Sequence, residues 1–262
     1  MEPVPLRLKV LVRGASMALN VGPARKSLAQ GTFPEMLERR LRAAGVDAFV
    51  TTRARAWDSI KDVFPEYYYL LAEMVPDVVV INFGEVEGQP RLMPRRLIGW
   101  FNRRRAIQPL GPVGGFVARV FDRTMRRLIA RILRYGSKAL GMRTNRMKPE
   151  RFQAELERLI TWTRGKTRGL VLVMTLNPAP PGIETLWAHL DARYRHYSEL
   201  TAEVVRKIAD PEVRLIDVQT LIRAMGPKEA LYDGLHYVPE ASDAVAKLMA
   251  DQVLDWLETA ER

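Results

Sequence analysis

The stretch that decides the fold is the apolar run Leu8-Lys9-Val10-Leu11-Val12, which leads within two residues into Gly14-Ala15-Ser16. Short runs of aliphatic and β-branched residues are typical of a strand that is buried inside a sheet. Ser16 would then stand where the first strand leaves the sheet. A serine at a sheet edge becomes a nucleophile only if a base lies near it, so the base must come from elsewhere in the chain.

The rest of the chain repeats this strand pattern with helical segments between the strands. The first helical segment follows Thr32-Phe33-Pro34-Glu35, which offers an N-cap threonine, and it ends at Gly45. Further helices are predicted over 57–74 and 239–257. Strands joined by helical crossovers form a parallel sheet covered on both faces, so we expect an α/β protein with three layers, α/β/α. The predicted strands cover residues 8–12, 47–51, 77–83, 170–176 and 213–218.

Length and composition fit one domain over residues 1–262, since the chain has 262 residues and 47% hydrophobic content. The start Met1-Glu2-Pro3-Val4-Pro5 lacks the features of a signal peptide. No run of about twenty uncharged apolar residues occurs, so we expect a cytoplasmic protein. The absence of cysteine excludes disulfides, thiolate metal sites and a cysteine nucleophile. With three dispersed histidines, we predict no metal and no cofactor.

The best candidate for a base is the histidine of Asp233-Gly234-Leu235-His236, where one tight turn can give the imidazole a carboxylate partner. The other two histidines fall in 186–208, which reads as a polar helix. Ser16, Asp233 and His236 therefore form a candidate set of nucleophile, orienting acid and base. A histidine that caps the following helix is the structural alternative.

Polar residues follow several predicted strands at the edge where open parallel sheets bind ligands. Ser16 follows the first strand, Gly84-Glu85-Val86-Glu87 the third and Asn177-Pro178 the fourth. The segment from Asp233 to His236 lies between the fifth strand and the last helix. We expect these residues to meet at one site.

At these positions the chain resembles the SGNH, or GDSL-type, hydrolases, which are three-layer α/β/α esterases and acyl-transfer enzymes with a flavodoxin-like, five-stranded parallel sheet. The first block is similar to Gly14-Ala15-Ser16, the third to 78–84, and the fifth to Asp233-Gly234-Leu235-His236 with its closing helix. The resemblance spans most of the chain outside one insertion. It implies that Ser16 attacks an acyl carbonyl, that His236 is the general base and then the acid, and that Asp233 orients the imidazole.

The chain departs from this family pattern in three blocks. Ala15 stands where the family usually has an aspartate before the serine, and Thr52-Arg53-Ala54-Arg55 offers no second-block glycine. The third block, usually Gly-x-Asn-Asp, is here Gly84-Glu85-Val86-Glu87. A valine thus replaces the expected oxyanion-hole asparagine, a donor worth about 3 to 4 kcal/mol. The chain is similar here to a divergent subgroup with Gly-x-Val-Asp followed by Pro-Arg, which it matches at Pro90-Arg91.

Other groups must then stabilise the oxyanion or bind the substrate. The backbone N–H groups of Ser16 and of Ala54 or a neighbour are candidates. Glu87 could bind a polar substrate group, pair with Arg91, or be a solvated loop carboxylate, and Asn177 could contact a ligand or serve the turn before its proline. The full set of oxyanion and substrate candidates is Ala54, Asn82, Gly84, Glu87, Arg91 and Asn177.

Positive charge is concentrated in an insertion at 91–150, which holds 16 basic and 2 acidic residues and so has a net charge of +14. The whole chain has a net charge of +11. The remaining 25 basic and 28 acidic residues give −3. Within the insertion, apolar residues recur at helical spacing while arginines step by four along another face, which predicts a basic amphipathic helix. The apolar set is Val117, Val120, Phe121, Met125, Leu128, Ile129, Ile132 and Leu133; the basic set is Arg119, Arg123, Arg127 and Arg131.

Three interpretations of this insertion remain open. It is a lid with solvated arginines, an element that binds an anionic membrane at the inner face, or a site for an acidic ligand. A polybasic segment gains about 1 kcal/mol per basic residue near an acidic surface, and Trp100 and Phe101 suit the headgroup region. Nucleic acid is disfavoured because no nucleic-acid fold signature accompanies the charge.

The residues are compatible with three functions. The first is a serine-dependent esterase, or deacylase, that removes an O-acyl group from a small-molecule, glycan or lipid-linked substrate through an acyl-enzyme on Ser16. The second is an O-acyltransferase that uses the same side chains. The third is a non-catalytic membrane- or partner-binding member of the fold, favoured by Ala15 and Val86 and opposed by the intact Ser16, Asp233 and His236.

Overall fold

The computed structural model describes residues 7–19, 31–55, 58–89, 147–167, 169–180 and 189–260. Within them, five strands form one parallel sheet in the order β2-β1-β3-β4-β5. This is the flavodoxin-like order, and it confirms the predicted three-layer fold. The strands are β1 (Leu8–Gly14), β2 (Ala48–Ala54), β3 (Val78–Asn82), β4 (Leu170–Met174) and β5 (Val213–Ile216).

Helices connect these strands at most of the predicted positions. The backbone N–H of Thr32 donates to Glu35 Oε2 (2.6 Å), so the predicted start of the first helix is confirmed. The prediction over 57–74 was too long, because a short 3₁₀ helix (Ile60–Asp62) precedes an α-helix that has a proline in its first turn. The α-helices are α1 (Phe33–Ala43), α2 (Phe64–Met74), α3 (Glu85–Gly88), α4 (Pro149–Arg164), α5 (Leu190–Ile208), α6 (Val218–Met225), α7 (Pro227–Ala230) and α8 (Pro239–Ala260).

Apolar side chains fill the space on both faces of the sheet. Along β1, Val10 and Val12 point to one face and Leu11 to the other, as the period of a strand requires. The helices α1 and α8 cover the first face, and α2, α4 and α5 cover the second. Burial on both faces explains why the strands are continuous apolar runs in the sequence.

Most of the basic insertion, residues 91–146, lies outside the described residues, so its amphipathic helix stays a prediction. The part of the insertion that is described contains the start of α4. A search of the described helices for one that is long and apolar enough to span a bilayer finds no candidate.

Candidate active site

The carboxyl ends of the three neighbouring strands β2, β1 and β3 are level with one another at the candidate site. Gly14 of β1 is in register with Ala54 of β2 and Asn82 of β3. A Cβ at Gly14 would lie 2.8 Å from Asn82 Cβ, so the glycine permits the close approach. The N–H of Ala15 donates to the Asn82 carbonyl (3.3 Å), and the partly exposed Ser16 begins a short 3₁₀ helix. Ser16 therefore lies at the sheet edge, as predicted.

The turn 233–236 is organised by its aspartate. Asp233 Oδ1 accepts hydrogen bonds from the backbone N–H groups of Leu235 (3.0 Å) and His236 (2.8 Å). Asp233 Oδ2 lies 2.7 Å from His236 Nδ1. Gly234 has a φ of 83°, a conformation that favours glycine. One carboxylate thus both shapes the turn and orients the imidazole.

The electrostatics of this pair favour an ionised aspartate and a free Nε2. Burial acts to raise the pKa of Asp233, but hydrogen bonds from the side chain and backbone of His236 outweigh it, and the pKa is lowered. Since Nδ1 is paired with the carboxylate, the lone pair of the neutral imidazole is on Nε2. That atom is buried, and no described group hydrogen-bonds to it. The structural alternative requires the imidazole to cap α8. Because Nδ1 is bonded to Asp233 and Nε2 has no partner among the described groups, the imidazole does not form this cap.

Asn177 braces the histidine turn from the end of β4. Its Nδ2 donates to the Leu235 carbonyl (3.0 Å) and lies 3.5 Å from Met17 Sδ, while its Oδ1 accepts from the Tyr237 hydroxyl (2.7 Å). The side-chain amide is buried and bonded within the protein. Asn177 therefore does more than form the turn before Pro178: it links the histidine turn to the residue that follows Ser16.

Met17, the residue after Ser16, and His236 both belong to this shared frame. Met17 and His236 line the same small pocket, but no hydrogen bond joins Ser16 Oγ to His236 Nε2. Hydrogen bonds between catalytic groups are often long before substrate binds, so the arrangement is compatible with a nucleophile and its base. The other pocket residues are Leu19, Thr32, Tyr232, Tyr237 and Ser242.

Glu87 joins the turn after β3 to the loop after β2. It is 1% exposed, which rules out the solvated loop carboxylate among its interpretations. Burial raises the pKa of Glu87, although the hydrogen bonds to its carboxylate act to lower that pKa. Its Oε1 accepts from the N–H of Ile60 (2.7 Å) and its Oε2 from the N–H of Gly84 (3.0 Å). Gly84 has a φ of 128°, and a Cβ there would lie 2.5 Å from Leu176 Cδ1. These contacts fix the turn that carries Glu85.

Arg13 is a buried residue that the sequence analysis missed. It is 2% exposed, and its Nη2 lies 2.9 Å from Asp58 Oδ2 while its Nη1 donates to the Arg53 carbonyl (2.6 Å). The ion pair attaches the loop after β2 to the strand that leads into Ser16. The available signal was a charged residue that directly follows the apolar run Val10-Leu11-Val12.

Glu85 is the second residue that the sequence analysis missed. It is 6% exposed, and burial raises its pKa from 4.5 to about 7. The charge of Glu87 raises this pKa further, whereas Asn82 and His236 act to lower it. Glu85 in turn helps burial to raise the pKa of Tyr237. The side chain of Asn82 at the end of β3 and the charge of His236 thus both act on this carboxyl group.

Three buried polar atoms at this edge have no hydrogen-bond partner among the described groups: Asn82 Oδ1, Glu85 Oε2 and His236 Nε2. Each unpaired atom costs about 1 to 3 kcal/mol. Buried polar atoms are normally paired, so a cluster of exceptions around a perturbed acid indicates a functional site.

The remaining candidates are distributed differently. Arg91 lies outside the described residues, and Val86 is buried and apolar, so its side chain offers no donor. His189 directly precedes α5 and His196 lies within it, in agreement with the predicted polar helix. In the part of the chain that the structure describes, no cluster of three His, Asp or Glu side chains is placed to hold a metal ion.

Comparison with known proteins gives matches among solved structures. No family model matches the chain, and no curated protein matches it. A lipase/acylhydrolase from Enterococcus faecalis superposes with a TM-score of 0.61 at 16% identity, covering 94% of this chain and 95% of that one. The acetylxylan esterase Axe2 from Geobacillus stearothermophilus gives 0.60 at 13% identity, covering 95% and 96%.

A GDSL-like lipase from Parabacteroides merdae gives a TM-score of 0.58 at 12% identity, covering 94% of this chain and 96% of the other. The chain has the SGNH hydrolase fold. At such low identity these likenesses show the fold alone, and the reaction must be argued from the chemistry of the site. Membership of the divergent Gly-x-Val-Asp subgroup stays a proposal.

Proposed function

We propose that this protein is a serine-dependent ester hydrolase that removes an O-acyl group from a polar, glycan or lipid-linked substrate through an acyl-enzyme on Ser16. The observation that carries the proposal is the Asp233–His236 pair. Its 2.7 Å contact orients an imidazole whose Nε2 is free, at the same sheet edge as Ser16. A serine, a neutral imidazole and an ionised carboxylate are the groups that acyl transfer requires.

In the proposed reaction, Ser16 Oγ bonds to the acyl carbon while its proton passes to His236 Nε2. Asp233 stabilises the imidazolium, which then protonates the departing alcohol oxygen. In the second half of the reaction a water oxygen bonds to the acyl carbon while its proton passes to His236 Nε2. The bond from the acyl carbon to Ser16 Oγ then breaks, Ser16 Oγ takes the proton back from His236, and the acid is released. The backbone N–H groups of Ser16 and Ala54 are candidate oxyanion donors. Ala54 of β2 pairs with Gly14 of β1, and Ser16 follows Gly14 by two residues, so both lie at the carboxyl ends of their strands.

Replacement of Ser16 by alanine tests this proposal directly. We expect Ser16→Ala and His236→Ala each to lower kcat/KM for p-nitrophenyl acetate by about 10³-fold or more. A fluorophosphonate probe should add its mass to wild-type protein at Ser16 and leave Ser16→Ala unmodified. His196→Ala, an exposed histidine on α5, is the matched control and should retain activity. Full activity in folded Ser16→Ala protein would refute the proposal.

Transfer of the acyl group to an acceptor hydroxyl is a second candidate. The observation in its favour is that both His236 Nε2 and Glu85 Oε2 are shielded from solvent, since a site that excludes water favours transfer over hydrolysis. Product analysis with and without a sugar acceptor separates the two reactions. Hydrolysis that is unchanged by the acceptor would eliminate transfer.

The non-catalytic alternative predicts no labelling of Ser16 in folded protein.

We also propose that the protein is cytoplasmic and that its segment 91–150 contacts an anionic membrane or an acidic ligand. The positive charge of that segment supports this proposal. Flotation with phosphatidylglycerol vesicles, compared with neutral phosphatidylcholine vesicles, tests the membrane contact. Equal recovery with both would exclude it.

A further inference from the structure

Glu85 lies in the turn that follows β3. At the end of β3 is Asn82, which packs against Gly14, two residues before Ser16. The charges of Glu85 and the histidine turn act on one another: His236 lowers the pKa of Glu85, and Glu85 raises the pKa of Tyr237. The buried Oε2 has no partner among the described groups. A buried oxygen without a partner, in the turn that follows β3, is available to hydrogen-bond a group bound at this edge of the sheet.

Acyl transfer at Ser16 places a negative charge on the former carbonyl oxygen, which needs hydrogen-bond donors. Val86 lies beside Glu85 and its side chain offers none. We propose that Glu85 is held as a neutral carboxylic acid and that its Oε2–H donates a hydrogen bond to this oxyanion. The inference rests on the proposed acyl-enzyme chemistry of Ser16 and assigns one further catalytic residue to it.

The groups around Glu85 determine its protonation. Burial is the largest influence and favours the neutral acid, and the negative charge of Glu87 in α3 adds to it. Asn82 from β3 and His236 from the turn oppose burial, with the net result of a pKa of about 7. Tyr237, whose pKa is raised well above its usual value, is uncharged in this range. Glu85 is therefore mostly protonated at about pH 6 and mostly ionised at about pH 9.

In the proposed step, Ser16 Oγ bonds to the acyl carbon, the Oγ proton moves to His236 Nε2, and the π electron pair of the carbonyl moves onto its oxygen. Glu85 keeps its proton and donates a hydrogen bond. Once ionised, Glu85 would have no proton to donate and would repel the oxyanion. The rate should therefore fall as the pH rises through about 7.

The test compares the pH dependence of p-nitrophenyl acetate hydrolysis in four proteins between pH 6 and 9, after subtraction of the Ser16→Ala rate. Wild-type kcat should fall towards pH 9. Glu85→Gln keeps an N–H donor at every pH, so its activity should exceed that of wild type at pH 9. Glu85→Ala lacks the donor and should be about 100-fold slower at pH 6. Glu240→Gln, at an exposed residue of α8, should follow the wild-type profile.

Two results would overturn the inference: a wild-type kcat that does not fall above pH 7, or a Glu85→Gln profile that falls in parallel with wild type. If Glu85→Ala does not fold by circular dichroism, the comparison of wild type with Glu85→Gln decides. Full activity in Ser16→Ala would instead remove the proposed function. An inactive Ser16→Ala with wild-type behaviour in both Glu85 variants would remove this inference alone.

Discussion

Replacement of Glu85 by glutamine should change how the stability of the protein depends on pH, whatever the catalytic role of this residue. Burial raises the pKa of Glu85 from 4.5 to about 7. The unfolded chain therefore releases the proton at a lower pH than the folded protein does. Stability contributed by the neutral acid is fully present below about pH 4.5 and is lost as the pH rises to about 7.

The magnitude follows from the two pKa values. Each tenfold change in acidity corresponds to about 1.4 kcal/mol, so the loss between pH 4 and pH 8 is about 3 kcal/mol. Glutamine is neutral throughout and escapes this loss. The free energy of unfolding of Glu85→Gln, relative to wild type, should therefore rise by about 3 kcal/mol over the same range.

Urea denaturation followed by circular dichroism at pH 4, 6 and 8 measures this difference. Comparison of the variant with wild type at each pH cancels the titration of groups that both proteins share. Glu240→Gln, at an exposed residue of α8, serves as the control for the removal of one carboxylate charge. A difference between Glu85→Gln and wild type that stays constant with pH would refute the reasoning.

Two further substitutions test the frame of the site. Asp58→Ala leaves the buried Arg13 guanidinium without its carboxylate and should lower the free energy of unfolding by about 3 kcal/mol in urea denaturation. Asp243→Ala removes the partner of the partly exposed Arg40 and should lower it by about 1 kcal/mol or less, and equal losses would contradict the buried pair. Asn177→Ala removes the hydrogen bonds that hold the histidine turn, and it should lower the free energy of unfolding by about 1 to 3 kcal/mol and kcat by about tenfold. Unchanged kinetics would show that Asn177 does not position His236.

Local patterns in the sequence predicted the strands, the helix start at Thr32 and the contact between Asp233 and His236. These features depend on neighbouring residues: a strand is an apolar run, and an aspartate three residues before a histidine reaches it within one turn. The boundary of α2 was predicted less well. Apolar spacing alone does not distinguish a continuous helix from a 3₁₀ turn followed by a helix.

The sequence by itself determined the layered fold and the identity of the candidate nucleophile, acid and base, because periodicity and short-range spacing are properties of the chain. Tertiary structure decided what Arg13, Glu85 and Asn177 do. In sequence these are ordinary polar residues. Arg13 and Asn177 acquire their roles from partners more than forty positions away in the chain, and Glu85 acquires its role from burial. Desolvation and long-range hydrogen bonding arise only when the strands pack together, and they make a buried acid at this sheet edge chemically different from an exposed one.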